Sequence, residues 1–304
     1  MALTSIITVN FHQPAVTIDL LKSIASNYKS ENVEIILVDN GSLENNEHVF
    51  KPYFGNITYI QSTENLGFAG GNNLGIKQAK GDYIFLLNND TEIPANCIET
   101  LVSELEANQK IGLLSPLVLY FDDKELVQYA GFTPMNYLTA RNAYVGQFEK
   151  NTGQFNNQTY QTGFCHGAAV ICRKADLLSA GLMDENYFLY YEELDWCEKF
   201  MRIGKQIWFT GKTFVYHKES ISVGKDSTIK TYFLTRNRLL FIRKNTSWLN
   251  TMLFGIYYSV IACPKIALKY ALKKRPDLAK WTFKGLFWNF SHNKNSTDLG
   301  YKIK

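Results

Sequence analysis

The chain has 304 residues, of which 46% are hydrophobic and 20% charged. That composition supports a substantial buried core and excludes a disordered or low-complexity protein. A formal charge of +4 is too small for a nucleic-acid binder, and most of the basic excess lies after Arg236. Five cysteines without a C-x-x-C pair argue against a disulfide framework or a structural zinc site, and point to a reducing cytoplasm.

Met1 leads directly into the β-branched run Ser5–Phe11, so the start reads as a first strand rather than a signal peptide. Pro14 stands where a helix begins, and Ile18, Leu20, Leu21 and Ile24 follow at helical spacing before the apolar run Val33–Val38. A second unit comprises Ile57–Gln61, the glycine-rich Asn65–Gly75 opening a helix that ends near Gly81, and the apolar run Tyr83–Leu87. This alternation predicts an α/β fold with a mostly parallel, Rossmann-like sheet covered by helices on both faces. Beyond Pro94 the pattern predicts a helix to about Asn108, a strand over Ile111–Phe121, and hairpins or a loop through Tyr160. A strand at Ala168–Cys172, a helix at Lys174–Ala180, strands at Ile207–Thr210 and Thr213–Tyr216, and a helical tail from about Thr228 complete the chain.

The buried runs end in polar residues, where open α/β sheets bind their ligands. In Val38-Asp39-Asn40-Gly41-Ser42, the Asp39 carboxylate suits a base N–H or a ribose hydroxyl, and the same residues equally suit a turn. In Asn88-Asn89-Asp90, Asp90 suits a hard cation that takes its other ligands from substrate phosphates, or the cap of the next helix. The acids of Tyr190–Lys199 complement a helix N-terminus, and one of them, beside aromatic rings that stack on sugars, suits a general base. The glycine spacing of Asn65–Gly75 is not G-x-G-x-x-G, which excludes a nicotinamide fingerprint while permitting close approach of a nucleotide. His217 ends its strand; His12, His48, His166 and His292 read as structural.

In order along the chain, Val9-Asn10, Val38 to Ser42, Asn65 to Asn73, Leu87 to Thr91, Gly181 to Glu185, Phe188 to Cys197 and His217 resemble the inverting family 2 glycosyltransferases of GT-A fold. The likeness is to their bacterial rhamnosyltransferase-like branch in surface polysaccharide assembly, and runs from Ser5 to about Asn245. It implies a catalytic domain over 1–235 and a helical, basic-aromatic extension over 236–304. It further implies a nucleoside-diphosphate sugar donor, a divalent Mg²⁺ or Mn²⁺, and a hydroxyl acceptor on a glycan or lipid-linked glycan. By the same resemblance Asp39 recognises the base with Asn10 nearby. Asn65, Gly67, Gly71, Asn72, Asn88 and Asn89 border the donor, Asp90 and His217 hold the metal, and Arg236 and Arg238 neutralise the diphosphate. Two residues depart from the pattern. Asn88 stands for the first acid of D-x-D, and Glu193 stands where the catalytic base is usually Asp, leaving Glu192 and Asp195 as alternative bases.

The apolar stretch Trp248–Cys263 is interrupted by Asn250, Thr251 and Ser259 and ended by Pro264, short of the roughly 20 residues a spanning helix needs. Lys265, Lys269, Lys273, Lys274 and Arg275 then predict either a basic amphipathic helix on an anionic membrane or a helix packed on the catalytic domain. The expected location is cytoplasmic, peripheral on the inner membrane. Two other readings compete. A non-catalytic sugar-nucleotide or glycan binder is favoured by Glu193. A nucleotidyltransferase would need a glycine-rich basic loop where Asn10–Pro14 stands.

Overall fold

In the computed structural model, which describes residues 2–29, 31–218 and 227–303, the early alternation becomes four parallel strands. These are β1 (Thr4–Asn10), β2 (Val33–Asn40), β3 (Ile57–Ser62) and β4 (Tyr83–Leu87), in the order β3-β2-β1-β4. The sheet continues through β9 (Ala169–Arg173), β6 (Ile111–Tyr120) and β10 (Gln206–His217) to the two-residue β5 (Thr91–Glu92). β9 is antiparallel to both neighbours, whereas β6 and β10 are parallel. β7 (Val127–Tyr129) and β8 (Thr159–Gln161) add antiparallel pairs to β6 and β10. The two strands expected near Ile207 and Thr213 are one, β10, with a register shift between Thr210 and Phe214.

Strands this apolar arise because both faces of the sheet are covered. Alternate residues of β2 divide between two cores: Ile36 and Val38 join Ile7, Ile84 and Leu86, while Ile35 and Leu37 join Ile6, Phe85 and Leu87. On the first face lie α3 (Gly67–Ile76), α5 (Lys174–Ala180), α6 (Glu192–Arg202) and α7 (Thr228–Asn245). On the second lie α1 (Pro14–Asn27), α2 (Glu47–Phe50) and α4 (Cys97–Ala107). Leu20, Leu21 and Ile24 of α1 are wholly buried, and each such side chain contributes roughly 1.5–3 kcal/mol. Of the hairpins expected before Tyr160, β6 with β7 forms one, and the rest of the stretch is tied by isolated bridges, Leu126 with Lys150, Phe132 with Tyr144 and Asn136 with Arg141.

After α7 come α8 (Trp248–Tyr257), a π-helical turn (Tyr258–Ala262), α9 (Cys263–Leu272) and α10 (Pro276–Ser291). Ser247 starts α8 by accepting the Asn250 N–H, a cap worth about 1 kcal/mol. Pro264 interrupts the apolar run without ending the helix, which continues over Trp248–Leu272, 25 residues and by length and composition long and apolar enough to cross a membrane. Proline removes one N–H donor from the ladder, and the wider turn placed immediately before it shifts the register at that point. The expected boundary at 235/236 falls inside α7. That helix is shared, packing Leu239 and Leu240 into the sheet core while the Arg236 carbonyl accepts a hydrogen bond from Asn289 of α10 at 2.9 Å.

Candidate active site

Parallel pairing brings Asn10 at the end of β1 beside Asp39 in β2. Asp39 is fully buried. Its Oδ1 accepts from Asn10 Nδ2 at 2.8 Å and Ser42 Oγ at 2.7 Å, and its Oδ2 from Asn46 Nδ2 at 2.8 Å and the Tyr59 hydroxyl at 2.9 Å. Burial works against the charge, but these donors outweigh it and hold the carboxyl below its usual range. A carboxylate offers about four acceptor positions, so a further donor would reach Asp39 only by replacing Asn46 or Tyr59, whose bonds are the part-buried ones. Asn10 Oδ1 accepts from Thr17, whose hydroxyl accepts from Asn89 Nδ2 at 3.0 Å. Thr17, unremarked in the sequence, thereby joins the Asp39 pocket to the end of β4.

Asn40 organises the glycine-rich loop, accepting the Leu66 N–H at 2.8 Å and donating to the Gly67 carbonyl at 3.2 Å and Asn65 Oδ1 at 3.3 Å. At Gly67 the backbone is left-handed (φ +69°), and a Cβ there would stand 2.1 Å from the Phe188 carbonyl oxygen. That same oxygen accepts the Phe68 N–H at 2.8 Å, so Gly67 lets the turn before α6 dock on the start of α3. Gly71 and Asn72, expected beside the donor, have other work. A Cβ on Gly71 would lie 2.9 Å from Val9 Cγ1, and Asn72 is buried and donates to the Phe68 carbonyl. Gly71 thus lets α3 pack closely on β1, while the Asn72 amide closes back on its own helix.

The antiparallel pair of β5 and β10 sets Thr91 opposite His217, which carries Asp90 to within 3.2 Å of His217 Nε2. Asp90 caps no helix: α4 begins after Asn96, with no side-chain cap bond. His217 Nδ1 lies 2.8 Å from Gln128 Oε1 of β7. With the amide oxygen accepting, Nδ1 carries the proton and the Nε2 lone pair faces Asp90. Asp90 Oδ1 is buried and finds no hydrogen-bond partner among the described residues. Burial opposes its ionisation; when His217 is the imidazolium, its Nε2–H faces Asp90 across the 3.2 Å and outweighs burial, holding the carboxyl below its usual range, whereas in the neutral ring the two oppose each other as acceptors. Two converging acceptors suit a hard cation that completes its shell from phosphate oxygens. Among the described residues no cluster of three or more His, Cys, Asp or Glu forms a metal centre by itself. The His166 ring packs 5.7 Å from that of His217, and burial, then His217, push its pKa down to about 3.

α6 follows a turn in which Phe188, Tyr190 and Tyr191 all have positive φ (65°, 70° and 76°), costly for bulky residues unless the surroundings enforce it. Asn237 Nδ2 enforces it by donating to the carbonyls of Tyr187, Leu189 and Tyr190 at 2.9, 2.8 and 2.8 Å. Arg236, expected to meet a diphosphate, is fully buried instead. It donates to the carbonyls of Asn186, Tyr187 and Leu299 and lies over the rings of Phe233 and Trp288 at 4.9 and 4.6 Å. Burial brings its pKa down to about 10. Arg236→Met should therefore destabilise the chain by about 2–4 kcal/mol, the loss of charge-assisted bonds to buried carbonyls. A urea titration with unchanged slope and a lower midpoint checks this.

The acids of α6 separate by their contacts. Asp195 Oδ1 accepts from the Tyr187 hydroxyl at 3.1 Å and Asn245 Nδ2 at 2.8 Å, and Glu198 accepts from Tyr137. Glu192 and Glu193 each keep a buried Oε2 without a hydrogen-bond partner among the described residues. Burial, then the neighbouring Glu193, push the Glu192 carboxyl well above its usual range. Burial also raises Glu193, against backbone N–H groups that favour its charge. Of the two, Glu193 lines a cavity of about 10 Å³ in the apolar core, with Phe68, Leu86, Leu113, Gly167, Met183 and Trp196. Gly167 lies between His166, packed on His217, and Ala168, whose carbonyl accepts the Asn88 N–H at 2.9 Å. Arg238, expected at the diphosphate, donates to the Thr139 carbonyl at 2.8 Å and lines a separate cleft with Tyr191, Lys269 and Lys273.

The family model described as Glycosyl transferase family 2 matches residues 5–178. A low-salt glycan biosynthesis hexosyltransferase of Haloferax volcanii is 25% identical over 240 residues, 73% of this chain and 75% of that protein. An N-acetylglucosaminyl-diphospho-decaprenol L-rhamnosyltransferase of Mycobacterium tuberculosis is 23% identical over 216 residues, 64% of this chain and 69% of that protein. Two further relatives are matched over 33% and 29% of their lengths. The crystal structure of GalNAc-T7 with UDP, GalNAc and Mn²⁺ superposes with a TM-score of 0.64 at 15% identity, covering 96% of this chain and 57% of that one. This last likeness is one of fold, the GT-A arrangement of a mostly parallel central sheet with helices around it.

Proposed function

The chain belongs to glycosyl transferase family 2, and from that premise we propose that it moves a hexosyl group, rhamnosyl by the branch it resembles, from a nucleoside-diphosphate sugar to a hydroxyl. The acceptor is a glycan or lipid-linked glycan of the cell surface, and the anomeric centre inverts. The archaeal and mycobacterial relatives, a glycan-building hexosyltransferase and a transferase to a diphospho-lipid, support this choice. The observation that carries the reading is the Asp90–His217 pair, two buried acceptors 3.2 Å apart at the ligand-binding end of the sheet.

On this reading Asp39, with Asn46 and Tyr59 as its exchangeable partners, receives the base, and Asn10, Asn65, Asn88 and Asn89 border the donor. Asp90 and His217 hold Mg²⁺ or Mn²⁺, which supplies charge neutralisation at the departing diphosphate. Glu193 takes the acceptor proton as the hydroxyl oxygen bonds to the anomeric carbon. The bond from that carbon to the phosphate oxygen breaks, and its electron pair leaves with the nucleoside diphosphate. Residues 1–235 form the catalytic part, and 236–304 extend it through the shared α7 to the cytoplasmic face of the membrane.

A panel of dTDP-, UDP- and GDP-sugars with Mg²⁺ or Mn²⁺ tests the reading. One donor is expected to raise the melting temperature and to release nucleoside diphosphate in a chelator-sensitive way when acceptor is added. Release of pyrophosphate would instead assign nucleotidyl transfer, and donor binding with no release under any acceptor would assign a binding protein.

A further inference from the structure

The stretch Trp248–Leu272 has a mean hydropathy of 1.4 over its most apolar window, of which only 28% is buried. Its inner side packs Phe254, Tyr258, Cys263 and Ala267 against the rest of the chain. Its outer side carries Trp248, Met252, Ile256, Val260, Leu268 and Leu272, every fourth residue with Pro264 in the one gap, each 44–77% exposed. A stripe of this length left open to water is apolar surface awaiting a partner. Beside it lies a cleft of about 350 Å³ between α7 and α9, lined by Arg238, Lys269 and Lys273 together with Tyr191, Tyr258 and Tyr270. Among the described residues no acidic side chain pairs with these three cations, and Arg238 Nε is buried without a partner. Lys269 and Lys273 alternate along α9 with the exposed Leu268 and Leu272, so the cleft opens onto the apolar stripe.

Resting on the proposed transfer reaction, we infer that this cleft holds the phosphate of a polyprenyl-phosphate-linked acceptor whose hydrocarbon enters along the stripe. Three unpaired cations match a phosphate ester, and the adjoining apolar face matches the lipid that carries it. A bilayer phospholipid would satisfy the charge and the stripe equally. The position of the cleft selects the acceptor instead, because Tyr191 in its wall is the N-cap of α6, two residues before Glu193. A phosphate held there presents the sugar attached to it to the same turn that carries the base.

The test is co-sedimentation of the full chain with phosphatidylcholine vesicles doped with undecaprenyl phosphate, against vesicles of equal charge doped with phosphatidylglycerol. The wild type is expected to prefer undecaprenyl phosphate about tenfold, since its terminal phosphate monoester enters the cleft where the phosphodiester of phosphatidylglycerol does not. Lys269→Glu with Lys273→Glu should abolish the preference, whereas a charge-matched change at the remote, exposed Lys29 and Lys110 should retain it. No preference in the wild type, or a preference that survives in the cleft variant, overturns the assignment. Failure of the wild type to release nucleoside diphosphate from any sugar donor would sink the proposed reaction while leaving the vesicle result standing, so the two failures are distinguishable.

Discussion

Glu193→Gln is expected to lower the rate of sugar transfer by about 10²–10⁴-fold, the contribution of a positioned general base, while donor affinity measured by calorimetry stays essentially unchanged. The expectation comes from the division of labour among the α6 acids. Asp195 is committed to Tyr187 and Asn245, and Glu198 to Tyr137. Glu192 Oε2 also has no hydrogen-bond partner among the described residues, but Glu193 is the one of the two that lines the cavity with Gly167, next to the His166 ring that packs on His217. Glu192→Gln should therefore cost far less. Burial raises the Glu193 carboxyl, and a base works only when ionised, so the acidic limb of kcat/KM should lie above the usual glutamate range of about 4.3. That limb should be missing from the residual rate of Glu193→Gln. The linkage sign for stability is opposite. A carboxyl whose pKa is raised on folding keeps its proton longer in the native state. Its contribution is present below the unfolded pKa and is lost as pH rises through the folded one. Glu193→Gln should flatten that loss and raise the melting temperature at neutral pH. Unchanged transfer by Glu193→Gln would remove Glu193 as the base.

Asp90→Ala is expected to weaken Mn²⁺-dependent donor binding by at least about 10–100-fold, since altering even the groups behind a metal ligand has effects of that size. It should lower turnover further by removing charge stabilisation at the leaving diphosphate. Two acceptors stand face to face: among the described residues Asp90 Oδ1 has no hydrogen-bond partner, and His217 Nε2 lies 3.2 Å away with Nδ1 held by Gln128. With one ligand gone, the lone imidazole cannot hold Mg²⁺ or Mn²⁺ against water. Metal-free donor binding should be nearly unaffected, because Asp39 keeps its four donors. Equal donor affinity with and without Mn²⁺ in the wild type would count against the metal site.

Much of the donor side was readable from residue order. The strand ends carrying Asp39 and Asn88-Asn89-Asp90 stand out because polar residues interrupt runs that both sheet faces must bury, and the structure gathers them at one edge. Other positions misled for a physical reason. The arginines of Thr235-Arg236-Asn237-Arg238 look alike as text, but a helix turns each residue by 100°. Arg236 points into the chain to pin the turn before α6, whereas Arg238 faces the cleft at α9. Gly71 sits in a loop-like string of glycines yet packs against Val9 of β1 on the sheet-facing side of α3. Gln128 was overlooked because a single polar residue in a short apolar strand announces nothing until its partner is known.

Periodicity and order along the chain were thus enough for the α/β class, the parallel half of the sheet and the family. These are local properties: alternation with period 2 or 3.6, glycine where a helix meets a strand, a carboxylate where a strand stops. The meeting of Asp90 with His217, the pinning of the α6 turn by Asn237, and the joining of Tyr191 to Lys269 span large sequence separations. They depend on the antiparallel insertion of β9, the pairing of β5 with β10 and the packing of α7. No local pattern encodes such contacts. They follow from burial of both sheet faces at once, which fixes which strand ends and helix starts come together.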